Sequence, residues 1–126
     1  MTEGIINGLF QALEGWNLLL IIFGTLLGII FGSMPGLTAT MGLALLVPFT
    51  FGMEPAAGLI MLAGIYVGAM YADAIPAILI NTPGTPAAIA PPFDGFPLAH
   101  EGRAQEALLT AAFASFIGSI VANIVP

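Results

Sequence analysis

The sequence contains no cysteine and no lysine, and Arg103 is its only basic residue. Without cysteine, neither disulfides nor thiolate metal ligands can form, and a single histidine, His100, does not make a metal site. Without lysine, neither the phosphate-binding loop that ends in Gly-Lys nor a lysine Schiff base can form. No basic patch exists to displace counterions from phosphates, so we expect no binding to nucleic acid.

Charged residues of both signs are scarce. They make up 6% of the 126 residues, whereas soluble domains average about 25%, and 59% of the residues are hydrophobic. No charge occurs between Glu14 and Glu54. As one helix at ~1.5 Å per residue, that stretch would be roughly twice as long as the ~30 Å hydrocarbon core of a bilayer. The composition therefore predicts an integral membrane protein whose first apolar run is broken, most plainly at Pro35-Gly36.

The amino-terminal residues differ from the remainder. Residues 1–16 place apolar side chains on one helical face and acids and amides on the other, and they end at Trp16. This pattern predicts an amphipathic helix in the membrane interface with Trp16 as its anchor, the alternative being a frayed tail. Residues 17–126 are predicted to form a transmembrane domain whose first spanning helix runs from Asn17 to Ser33.

Two Pro-Gly breaks interrupt the apolar segments. The first is Pro35-Gly36-Leu37-Thr38-Ala39, after which a short helix restarts at about Met41, capped by Thr38 or Thr40. The second is Asn81-Thr82-Pro83-Gly84-Thr85-Pro86. Paired interrupted helices are typical of transporter binding sites. The sequence thus predicts an all-α polytopic bundle with two discontinuous helices, a polar turn from Asp94 to Arg103, and a final helix from Ala104 to about Val125.

The breaks are the candidate substrate site. The first N–H groups of a restarting helix are unpaired and carry partial positive charge, so a chain with almost no cations can bind an anion there. The freed carbonyls could coordinate a small cation. The alternative is that both breaks are packing kinks satisfied by neighbouring helices. The predicted substrate-binding residues are Pro35, Gly36, Thr38, Thr40, Asn81, Thr82, Gly84 and Thr85.

Asp73 is an ionisable residue between two apolar segments. Such a residue at membrane depth is a candidate for proton or cation coupling, and Asn81 is predicted to share this role. Asp73 could instead cap the short helix that follows it. No G-x-S-x-G elbow frames a serine, so no catalytic residues are assigned, and the chain is predicted not to be an enzyme.

Four segments carry a resemblance to a known family. They are Gly28-x-x-x-Gly32-x-x-Pro35-Gly36-Leu37-Thr38, Ala44-Leu45-Leu46-Val47-Pro48-Phe49-Thr50, Asn81-Thr82-Pro83-Gly84-Thr85-Pro86, and Phe93-Asp94-Gly95-Phe96-Pro97-Leu98-Ala99 followed by Gly102-Arg103-Ala104. In this order and spacing, the chain resembles the large membrane subunit of the tripartite tricarboxylate transporters, the TctA family. The resemblance covers roughly Gly24 to Gly118.

The resemblance implies a multi-pass permease of the bacterial inner membrane that takes up carboxylates and is driven by Na⁺ or H⁺, with no other cofactor. Its partners would be a periplasmic solute-binding protein and a small four-helix membrane subunit. Family members are several times longer, so the chain would be the N-terminal part of such a transporter. The alternatives are a structural membrane subunit that does not transport and an intramembrane hydrolase. One departure concerns coupling: Ala72-Asp73-Ala74 stands where the family often has Gly-Gly-Ser.

Overall fold

The computed structural model describes residues 1–125. In this part of the chain all regular structure is helical and no strand occurs, which confirms the predicted all-α fold. The helices are α1 (Thr2–Ala12), α2 (Gly15–Gly32), α3 (Ala39–Thr50), α4 (Pro55–Ala72), α5 (Ala74–Ile80), α6 (Pro91–His100) and α7 (Ala104–Ile124), with a 3₁₀ turn at Pro86–Ala88.

Three helical segments are long and apolar enough to cross a membrane. They are Gly15–Gly32, Pro55–Ile80 and Ala104–Ile124, with mean hydropathies of 2.0, 1.6 and 1.9. The second joins α4 and α5, which follow one another with only Asp73 between them. Helix α3 is apolar but has 12 residues, about 18 Å of helix, and is too short to span a ~30 Å core.

Helices α2 and α4 pack backbone against backbone through glycines. A β-carbon at Gly24 would lie 2.5 Å from the carbonyl oxygen of Met61, and Gly28 and Gly32 abut carbonyls one and two turns further along α4. The contact points advance in the same direction on both helices, so α2 and α4 run parallel. Small residues allow this approach where lipid supplies no hydrophobic drive between helices. Reciprocal approaches from α4 to α2 occur at Gly64 and Gly68.

Helix α3 connects the end of α2 to the start of α4 and so runs antiparallel to both. Its first turn lies beside the end of α2, where Gly42 approaches the side chain of Phe31, and its last residue, Thr50, lies against Gly58 near the start of α4. The carboxyl ends of α2 and α4 are therefore at the same end of the bundle. This arrangement brings the first break, which follows α2, close to Asp73, which follows α4.

Helix α6 replaces most of the turn that the sequence predicted from Asp94 to Arg103. That prediction was wrong, because Pro91 and Pro92 occupy the first helical positions, where no N–H is needed, and the helix continues to His100. Gly95 also lets α6 sit closely on α5, since a β-carbon there would lie 2.8 Å from Cγ1 of Ile78.

Helix α7 is the least covered spanning segment. Ala107 is its buried residue, packed near α5 and α6, whereas Ser115, Ser119 and Asn123 further along the helix are exposed. Asn123 satisfies its own side-chain amide by donating to the carbonyl oxygen of Ser119 at 2.8 Å. Within residues 1–125, only the first turns of α7 are therefore covered by other helices.

Candidate functional site

The first break is a capped helix restart. Thr38 is extended (φ −93°, ψ 161°), and its hydroxyl oxygen accepts a hydrogen bond from the N–H of Met41 at 3.2 Å. Thr38 is thus the cap, and Thr40 lies exposed within α3. Gly36 has a φ of +91° with no atom near its missing β-carbon, so glycine is needed there for its conformation. The first N–H groups of α3 lack partners within the helix.

The second break begins with a left-handed residue. Asn81 has φ 54° and ψ 37°, a conformation that asparagine tolerates better than most residues, and it ends α5. The N–H of Thr82 donates to the carbonyl oxygen of Pro76 at 3.3 Å, and the Thr82 hydroxyl donates to that of Ile80 at 3.1 Å. No α-helix restarts directly afterwards, because only the 3₁₀ turn precedes α6.

Asp73 reaches into this second break. It is 4% exposed, and its Oδ1 accepts a hydrogen bond of 2.9 Å from the N–H of Gly84. Its Oδ2 accepts a short hydrogen bond from the hydroxyl of Thr85. Asp73 makes no side-chain capping bond to α5. The capping interpretation is therefore wrong, since the carboxylate holds a loop more than ten residues further along the chain.

The two breaks meet at Gly84. A β-carbon on Gly84 would lie 2.7 Å from Oδ1 of Asp73 and 3.7 Å from the carbonyl oxygen of Leu37 in the first break. The parallel course of α2 and α4 accounts for this meeting. Glycine is required here for space, in contrast to Gly36.

The charge of Asp73 has no cationic side chain to balance it within residues 1–125. Arg103 is the only arginine and there is no lysine, and the Arg103 guanidinium binds the carboxylate of Glu106 at 2.7 Å on the surface. That hydrogen bond, together with the charge of Glu106, raises the pKa of Arg103 above its ordinary value. Burying a carboxylate costs free energy unless hydrogen bonds and charge compensate for it. At Asp73 the described residues supply only neutral donors.

The structure places the other predicted site residues in separate surroundings. Asn81 lines a groove of about 420 Å³ together with Pro83 and the aromatic rings of Phe93 and Phe96 on α6. Pro35 is exposed in the first break. Of the predicted set, the structure thus brings Gly84 and Thr85 together at Asp73 and places Asn81 in the α6 groove, while Pro35, Gly36 and Thr40 are exposed.

Sequence reasoning missed two features of the junction. It did not identify Leu37, whose carbonyl oxygen faces Gly84, and it did not anticipate that Asp73 would take the donors of the second break. No local pattern signals either contact, because both depend on how the helices are arranged. No group of three or more metal-binding side chains occurs among the described residues.

These features define an all-α membrane protein with discontinuous helices, and comparison with known proteins identifies the family. The chain belongs to the tripartite tricarboxylate transporter TctA family, whose family model matches residues 18–125. This is a family of transporters and not of enzymes, which confirms that the chain is not an enzyme.

A similar protein is known from Agrobacterium vitis. It is called "Uncharacterized 52.8 kDa protein in TAR-I ttuC' 3'region" and is 43% identical over 117 residues. The match covers 93% of this chain and 23% of the relative, so the chain spans about a quarter of that protein's length. No solved structure matches the chain significantly.

Proposed function

We propose that the protein containing these residues is the large membrane subunit of a three-component transporter that takes up carboxylates. It would act in a bacterial inner membrane with a periplasmic solute-binding protein and a small four-helix membrane subunit. Family membership supports the class of transporter. Residues 1–16 would lie in the membrane interface, since the exposed helix α1 has apolar side chains for the lipid, and residues 17–126 would form the N-terminal part of the transmembrane domain.

The meeting of the two breaks is the observation that supports a substrate site. Polar backbone groups are costly in lipid and persist where they line a cavity or are held by protein. The first N–H groups of α3, the amide of Gly84 and the hydroxyls of Thr38 and Thr85 supply donors for a carboxylate. Because Gly84 has no side chain, a carboxylate can come within hydrogen-bond distance of its amide, as that of Asp73 does in this structure. Pro35, Gly36, Thr40, Asn81 and Thr82 would shape the two sides of the site.

A cation, Na⁺ or H⁺, would drive uptake. Asp73 supports this proposal because its buried carboxylate lacks a cationic partner among the described residues. Carbonyl oxygens at the breaks would add ligands for Na⁺, which binds oxygen, and Asn81 would offer its side-chain oxygen from the α6 groove. A structural subunit that only packs against partners is the alternative function, and it requires neither a cation nor an open site.

Uptake of radiolabelled citrate by the full-length protein with its partners tests this proposal. Gly84→Val would overlap the carboxylate of Asp73, and Asn81→Ala would lose the left-handed residue at which the second break begins. We expect each to reduce the initial uptake rate at least about tenfold, a barrier increase of ~1.4 kcal/mol, without reducing the protein in the membrane.

Leu109→Ala is the matched control, because Leu109 is 51% exposed on α7, away from both breaks. It should transport normally. Replacing Na⁺ with choline while collapsing the proton gradient should abolish accumulation by the unmodified protein. Equal uptake by the control and by both break variants, or accumulation without either gradient, would contradict the proposal.

A further inference from the structure

Asp73 occupies the very donors that the proposed function assigns to the substrate. Its two oxygens accept hydrogen bonds from the N–H of Gly84 and the hydroxyl of Thr85. A carboxylate side chain and a carboxylate substrate present the same pair of acceptor oxygens. Each donor carries one hydrogen, so full hydrogen bonds to both carboxylates at once are not available.

Charge also separates the two carboxylates. Two carboxylates that compete for the same donors would lie close together, and like charges repel more strongly in a protein interior than in water. Arg103 cannot relieve this repulsion, because it is paired with Glu106 on the surface at the start of α7. A substrate carboxylate at Gly84 therefore requires that Asp73 moves away or that its charge is neutralised.

We propose that Asp73 is an internal competitor for the substrate carboxylate. In the substrate-free protein it occupies the Gly84 amide and the Thr85 hydroxyl and closes the second break. Substrate binds when Asp73 leaves these donors, and a cation taken up by the freed carboxylate stabilises the open arrangement. This inference rests on the proposed function and adds to it an order of events, in which release of Asp73 accompanies cation binding and precedes the substrate.

A purely structural role for Asp73 predicts the opposite effect of removing its charge. If the carboxylate only held the loop in shape, its loss would disorder the donors and weaken substrate binding. If it competes, its loss strengthens substrate binding and removes the influence of the cation on that binding. The direction of the change in affinity therefore distinguishes the two roles.

The test is the half-saturating citrate concentration for uptake by the full-length transporter, measured for the unmodified protein and for Asp73→Asn over a range of Na⁺ concentrations and pH. Asparagine keeps the size of the side chain and an acceptor for Gly84, but a neutral hydrogen bond is about half as strong as a charge-assisted one. We expect the half-saturating concentration to fall about 5- to 10-fold at low Na⁺ and to lose its dependence on the cation.

Asp73→Ala removes both acceptor oxygens, so it should lower the half-saturating concentration further. If the Asp73→Ala protein does not reach the membrane, the result for Asp73→Asn decides the test. Asp94→Asn is the control, since Asp94 is an exposed acid on α6, and it should change nothing. An unchanged or raised half-saturating concentration in Asp73→Asn would overturn the inference. Failure of the proposed function is recognised separately, by absent citrate uptake in the unmodified protein or by normal uptake in Gly84→Val.

Discussion

The two Pro-Gly breaks are similar in sequence and different in structure. The first, at Pro35-Gly36, restarts a 12-residue helix that Thr38 caps, and Gly36 lies in open space with a φ of +91°. The second, at Pro83-Gly84, continues only into a 3₁₀ turn, and Gly84 is surrounded by Asp73 and Leu37. In the first break, glycine is therefore needed because it can adopt a positive φ. In the second break, it is needed because a side chain would collide with the Asp73 carboxylate.

The difference shows that the requirement for glycine at position 84 depends on another residue. The strain caused by a side chain at Gly36 is intrinsic to its own φ, whatever its neighbours are. The clash at Gly84 exists because Asp73 extends its carboxylate to that amide. Double substitutions can separate these two causes.

The largest expected effect is a non-additive pair at Gly84 and Asp73. Gly84→Ala places a β-carbon 2.7 Å from Oδ1 of Asp73, and overpacking of this kind costs about 1–3 kcal/mol. Asp73→Ala removes that oxygen, so Gly84→Ala should cost little more in the Asp73→Ala background. The measurement is the melting temperature of the full-length protein in detergent for both single variants and the double variant.

We expect the double variant to be more stable than the sum of the two single losses predicts by about 0.5–3 kcal/mol, the range for residues in direct contact. Gly102→Ala in the same two backgrounds is the control, since Gly102 lies in an open turn with its own positive φ of +83°. Additive losses for Gly84→Ala and Asp73→Ala would mean that the contact between them contributes nothing.

A smaller effect is expected at the first break. Gly36→Ala meets no neighbouring atom but forces alanine to a φ of +91°, which costs about 1–2 kcal/mol. The melting temperature should fall by the same amount with Asp73 present or replaced, because the strain is local. If the fall in melting temperature caused by Gly36→Ala differed between the Asp73 and Asp73→Ala backgrounds, the requirement for glycine at position 36 would not be local.

The sequence predicted the helices well and the junction poorly. The long apolar runs predicted spanning helices, and three helical segments of spanning length occur. The meeting of Leu37, Asp73 and Gly84 depends on the parallel course of α2 and α4, which no local pattern encodes. The helix α6 was missed because Pro91, Gly95 and Pro97 are typical of turns, whereas contact with α5 favours the helix.

The central claim is that the two breaks together form the site that binds a carboxylate. The 126 residues contain no cysteine, so a single thiol can be introduced at Thr38 in the first break or at Thr82 in the second. The measurement is the rate at which a hydrophilic maleimide labels each thiol, with and without citrate, in full-length protein whose other cysteines have been replaced. Ser119→Cys on α7 is the control.

Citrate at ten times its half-saturating concentration should slow labelling at Thr38→Cys and at Thr82→Cys by about tenfold, as expected from simple occupancy, and should leave Ser119→Cys unaffected. Protein that still transports citrate but is labelled at both breaks at unchanged rates would contradict the claim, because the substrate would then bind elsewhere.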